Sequence, residues 1–187
     1  MAAPRVLSIF KVREEGNLEF WVSNAVIIFS TVLGVYLAAQ AGYKTALDFE
    51  VTRSEREDYF MRRALLDELT DNPVQADRMS KNMVDQGWRF RNSDPNVFKL
   101  QSFVWETMKQ REITFQLPAG VLTGVRRYYE KSGDYGRLLA VGQGTAIDGA
   151  KAWMKDTQEV REKIAPTLEQ DTAVLHQRLV GRGVQVD

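Results

Sequence analysis

Apolar residues fill one stretch of this chain completely and recur at helical spacing almost everywhere else. From Phe20 to Tyr43, 24 consecutive residues, FWVSNAVIIFSTVLGVYLAAQAGY, include no Asp, Glu, Lys or Arg. As a helix this run is about 36 Å long, enough to cross a hydrocarbon core of ~30 Å. Phe20 and Trp21 at one end and Tyr43 at the other stand where amphipathic rings favour the headgroup level, and Glu19 and Lys44 bracket the run.

Beyond Lys44 the pattern predicts helices alone. A juxtamembrane helix over 44–72 carries Leu47, Val51, Phe60, Leu65, Leu66 and Leu69, and is expected to stop at Asp71-Asn72-Pro73, because a residue before proline is pushed out of the α region. A short helix from Pro73 to about Trp88 follows. Ser93-Asp94-Pro95 then combines a capping side chain with a first-turn proline, and should launch a helix carrying Val97, Leu100, Phe103, Val104 and Met108. Leu117-Pro118 opens the next helix, with Val121, Leu122, Val125, Tyr128 and Tyr129 at the 3.6 period. Ser132-Gly133-Asp134 reads as a turn. A long last helix covers Thr145–Leu179 with a kink or break at Pro166, and Gly181-Arg182-Gly183 carries no packing signal. No segment alternates with period two for long, and no internal repeat is visible. The expected fold is all-α, a single transmembrane helix continuing into a small helical bundle. Its expected parts are an N-terminal tail (1–19), the membrane helix (20–43), the juxtamembrane helix (44–72), the bundle (73–180) and a C-terminal tail (181–187).

Two other readings of the apolar run are weaker. Soluble cores seldom hold an uninterrupted apolar helix of this length. Ala39-Gln40-Ala41 has the small-x-small form of a signal cleavage site and Arg5, Lys11 and Arg13 precede the run, yet the run exceeds a signal h-region in length. The segment is expected to act as an anchor. Basic residues do not orient it: Arg5, Lys11 and Arg13 on one side match Lys44, Arg53 and Arg56 on the other. Within the anchor, Ser30, Gly34, Ala38 and Gly42 recur every four residues and form a helix-packing face where another backbone can approach closely. Ile28, Phe29, Val32, Leu33 and Leu37 supply a lipid-facing side, and Asn24 and Gln40 add polar groups that favour a hydrogen-bond partner over lipid. Before the anchor, Val6, Leu7 and Phe10 sit among Arg5, Lys11 and Arg13, a pattern that fits either an interfacial helix or an unstructured stub.

Composition narrows the chemistry. Lys+Arg and Asp+Glu number 25 each, a balance that opposes general nucleic-acid binding. There is no Cys, so disulfides, thiolate metal sites and a Cys nucleophile are excluded, and a single His, His176, excludes any site needing two imidazoles. Gly142-Gln143-Gly144, with Gly149 beyond, lacks the G-K-[ST] of a phosphate loop and follows no strand. Asp67, Glu68 and Asp71 can share a helical face, though such clusters are usually solvated and a metal needs further ligands. His176 lies among Val174, Leu175 and Leu179 with no serine near enough in sequence to suggest a triad. Arg126-Arg127 beside Tyr128-Tyr129 suits salt bridges around a buried tyrosine better than a headgroup or nucleic-acid site. Trp88, Trp105 and Trp153 fit a bundle core or a partner surface. No catalytic, cofactor-binding or metal-binding residues emerge, and a non-enzymatic role is expected.

LGVYLAAQAGYKTALDFE followed by YFMRRALLDELTDN, and later SFVWETMKQREITFQLPAGVLTGVRRYYEKSGDY, resembles a family of uncharacterised single-pass bacterial envelope proteins. The resemblance covers the region Val32 to Tyr135, and departs from the family at Ala41-Gly42-Tyr43, where a tryptophan usually follows the glutamine. It implies a bacterial inner-membrane protein with a cytoplasmic N-terminus and a periplasmic helical domain. The function expected is a single-pass accessory subunit that docks on and stabilises a larger membrane complex, of which respiratory and photosynthetic assemblies are examples. Its partners would be integral membrane subunits and lipid, with no nucleic acid and no cofactor. The alternative is a self-assembling homo-oligomeric envelope scaffold or sensor.

Overall fold

The structure, a computed structural model, describes residues 8–86, 94–141 and 144–186. Helix α1 (Ser8–Gln86) is followed by a 3₁₀ turn (Pro95–Phe98), α2 (Phe103–Met108), a second 3₁₀ turn (Glu112–Gln116), α3 (Ala119–Val141) and α4 (Gly144–Glu159). A π-helical turn (Val160–Ile164) joins α4 to α5 (Ala165–Gly181). No strand occurs among the described residues, so the fold is all-α. The chain divides into two units, Met1–Val51 and Thr52–Asp187, and α1 contributes to both.

The second unit is a small helical bundle. Its core draws Leu65, Leu69, Ala76 and Met83 from α1, Val121, Val125, Tyr128 and Leu139 from α3, and Ala150 and Trp153 from α4. Phe98, Leu100, Trp105 and Met108 close it from the intervening segment, and Val160, Ile164 and Leu168 extend it past the π turn. Helix α3 packs so closely to the π turn that a Cβ on Gly124 would lie 2.5 Å from Ile164 Cδ1, so only glycine fits there without displacing the isoleucine.

Several elements depart from the sequence pattern. Asp71-Asn72-Pro73 does not end a helix: Pro73 is buried inside α1, so the segments 44–72 and 73–88 are not separate helices. A proline costs a helix one hydrogen bond and a steric clash. Here packed side chains on both sides, Leu69 and Ala76, hold the helix through it. Asp94 caps only one 3₁₀ turn, accepting a bond from the Asn96 amide; the backbone is extended at Lys99, and the expected helix restarts at Phe103. Ser132-Gly133-Asp134 lies within α3, where buried Ser132 accepts a hydrogen bond from Trp153 Nε1 at 3.1 Å. Pro166 does interrupt the last helix. The π turn precedes it, with the Ala165 amide reaching back to the Val160 carbonyl. Leu117-Pro118 opens α3 as expected, the Leu122 amide bonding the Pro118 carbonyl. The C-terminal tail is packed after all. Gly183 adopts φ +76, its amide bonds the Val180 carbonyl and the Val184 amide the Leu179 carbonyl, which is a Schellman stop. Val186 is then buried with Tyr59, Leu175 and Leu179.

Candidate functional site

The described residues of the first unit are all helical. The charge-free run lies within α1 and has an 18-residue window of mean hydropathy 1.9, none of it buried; it is the one helix among the described residues long and apolar enough to cross a membrane. Ser30, Gly34, Ala38 and Gly42 are all exposed, and a Cβ on Gly34 or Gly42 would meet nothing within 4 Å. The small-residue face therefore has no partner among the described residues. Phe20 and Trp21 touch edge to face at 6.1 Å and are exposed, as is Tyr43. Thr31 and Thr45 donate their hydroxyls to the carbonyls of Ile27 and Ala41, which removes two polar groups from any need for an outside partner. Of the basic N-terminal pattern, residues 1–7 lie outside the described residues.

In the helical unit, two polar clasps join α1 to the rest. Glu68 is buried, and its carboxylate accepts bonds from the amides of Val104 (2.8 Å) and Trp105 (3.3 Å) and from the Tyr129 hydroxyl (2.5 Å). It therefore caps the N-terminus of α2, whose own N-cap Ser102 makes no side-chain bond. One turn on, Asn72 donates to the Gln101 carbonyl and accepts from its amide, and donates to Tyr129 Oη at 3.1 Å. Burial, then the Glu68 carboxylate, hold the Tyr129 phenol well above its ordinary pKa. Asp67 and Asp71, by contrast, are exposed, so the acidic trio is divided between a structural cap and solvent. No group of three metal-ligating side chains occurs among the described residues.

The second clasp centres on Arg62, which is buried on α1. Its guanidinium donates to both oxygens of buried Asp58 (2.7 and 2.5 Å), to Asp171 on α5 and to the Gln116 carbonyl at 3.0 Å. Burial pushes the Asp58 carboxyl up, and the Arg62 bond opposes that shift. Glu55 pairs with Arg178 (3.4 Å) and Arg182 (2.5 Å) further along.

The remaining sequence candidates are dispersed. His176 is half-buried, its ring 5.4 Å from that of Tyr59. Trp105 and Trp153 are core residues, and Trp88 lies outside the described residues. So do Gly142 and Gln143, while Gly149 packs in α4 against Leu138. Arg126 and Arg127 are exposed and form no ion pair among the described residues; the ion pair that acts on the buried Tyr128 is Asp77–Arg161. Phe103, expected on the apolar side of a helix, points outward. It and Phe115 are each 81% exposed, more than any other large apolar side chain described. Phe115 edges a groove of about 580 Å³ lined also by Trp105, Leu122, Tyr129, Lys109 and Arg126. Helical period alone marks Phe103 as core, so sequence gave no signal for this surface.

Comparison with protein families, with characterised proteins and with solved structures finds no match for this chain.

Proposed function

We propose that the protein is a non-enzymatic, single-pass membrane accessory subunit that docks on and stabilises a larger membrane complex. The observation that supports this most is an apolar helical run of 24 residues whose most hydrophobic window has no buried residue, in a chain whose helical unit already has its own core. An apolar helix left uncovered by its own protein is stable in lipid and costly in water. The Ser30–Gly34–Ala38–Gly42 face, open on this chain, is then the site for a partner helix, and Phe20, Trp21 and Tyr43 set the helix depth. The exposed rings of Phe103 and Phe115 give the helical unit a second docking surface of its own. On the resemblance described above, the anchor lies in the bacterial inner membrane with the helical unit on the periplasmic side.

Purification from native membranes in mild detergent, followed by mass spectrometry of the co-purifying chains, tests this reading. Foreign integral subunits in fixed stoichiometry are the expected result. A pure homo-oligomer would replace it with the self-assembling scaffold, and recovery from the soluble fraction would overturn both.

A further inference from the structure

The groove beside Phe115 in the helical unit has an aromatic lining. Trp105 on α2 and Tyr129 on α3 lie nearly parallel there, their ring centres 6.0 Å apart with 6° between the planes. Leu122 continues the apolar surface along α3. A further ring packs well against such a pair. Phe115, on the second 3₁₀ turn, stands at the edge of this groove with its own ring 81% exposed. The chain thus carries a knob and a hole side by side and does not bring them together.

The charges around the groove are its second feature. Lys109 and Arg126 line it together with Glu106 and Glu130, two of each sign. An acidic partner would meet two carboxylates here and a basic one two cations, so a partner of single sign gains nothing. Lys109 pairs with Glu106. Arg126 and Glu130 are both exposed and form no ion pair among the described residues. They stand one turn apart on the same face of α3. A second α3 laid antiparallel on the first brings each Arg126 onto the partner copy's Glu130, and both pairs form at once. Such a patch is its own complement under a two-fold rotation.

We propose that the occupant of this groove is a second copy of the chain. In a two-fold dimer of helical units, each Phe115 ring enters the partner copy's groove against Trp105 and Tyr129, flanked by two Arg126–Glu130 pairs. Neither groove is filled without the other copy. Burial of the rings supplies most of the affinity, and the ion pairs at the rim fix the register. Anchoring both copies in one membrane raises their effective concentration. The proposal rests on the reading above of this surface as a docking site, and it brings the subunit into its host complex as a pair.

The test uses the full-length chain, expressed without foreign subunits and purified in mild detergent, with its mass followed by light scattering over a dilution series. Every sample carries Gly34→Leu, so that the small-residue face of the anchor adds no second contact. The chain should be dimeric. Phe115→Ala should weaken the dimer about thirtyfold or more. Arg126→Glu and Glu130→Arg should each weaken it about tenfold or more, since each creates two like-charge contacts. Combining those two reversals should restore it, because the signs are then exchanged on both sides. All three side chains are exposed, so helix content should stay unchanged throughout. A monomeric starting chain, a dimer indifferent to Phe115→Ala, or single reversals that the double reversal does not repair would each overturn the proposal. A groove that serves a foreign subunit instead gives the first of these results. Failure of the membrane reading looks different: the chain is then recovered from the soluble fraction, where the same dilution series applies without detergent.

Discussion

Along α1, residues 20–43 and residues 59–83 both carry many large apolar side chains, yet the first set is exposed and the second is buried on one face. The difference lies in what stands between them. In the second set Arg62, Arg63, Asp67, Lys81 and others interrupt the apolar positions, so Leu65, Leu69, Ala76 and Met83 share a stripe that α3 and α4 can cover. In the first set no charged residue intervenes, and apolar side chains stand on every side of the helix among a few uncharged polar ones. A bundle covers one stripe of a helix; only lipid or several partner helices cover all of it. One continuous helix thus carries both apolar patterns, and substitutions placed on either half separate them.

The largest effect is expected at Arg62. Arg62→Ala leaves buried Asp58 without its bidentate partner and the Gln116 carbonyl without a donor. It should cost the helical unit about 3–5 kcal/mol, read as a fall in the urea midpoint of the full chain in detergent. Leu69→Ala should cost about 2–5 kcal/mol by opening a cavity in the core, while Leu33→Ala, on the uncovered half, should leave the same transition in place. Equal losses from both would show that something within the chain covers residues 20–43.

Gly34→Leu should weaken association with membrane partners by about 1–3 kcal/mol, measured as partner occupancy after detergent purification, with Val32→Leu on the opposite side without effect. Full occupancy in Gly34→Leu would assign the docking to the helical unit alone. The smallest effect concerns pH. Tyr128 and Tyr129 are held above the ordinary tyrosine value by burial, Tyr129 also by Glu68. The unfolded chain loses these protons near pH 10 and the folded one does not. Stability from each is complete below pH 10 and falls as pH rises, by about 1.4 kcal/mol per pH unit. Alkaline unfolding monitored by tyrosinate absorbance checks this, and Tyr129→Phe should flatten the slope.

Helix content was legible because the apolar period is legible: α3, α4 and α5 follow residues such as Val121, Val125 and Tyr128 that recur at 3.6. The breaks were harder to read. Pro73 and Ser132-Gly133-Asp134 carry local stop signals that tertiary contacts override, through Leu69 and Ala76 in one case and the Trp153–Ser132 bond in the other. Glu68 looked like one of three surface acids because its role depends on amides 36 and 37 residues away, which no local pattern reveals. The tail was read as carrying no packing signal, although Gly183 just past an apolar helix is of the residue type that ends helices in a left-handed turn. The burial of Val186 on Tyr59 was not, because it depends on where the other end of the unit lies.

That last contact brings the helical unit back to its own beginning. Arg182 bonds Glu55 and Val186 packs with Tyr59, so the chain leaves the unit beside the point where it entered. A module with adjacent entry and exit is a cassette: it can be spliced into a surface loop of another protein without stretching the host, or closed on itself and reopened elsewhere. Joining residue 186 to residue 52 through a short glycine linker and cutting between α3 and α4 would then rearrange the order of the helices and should leave the core of the helical unit in place.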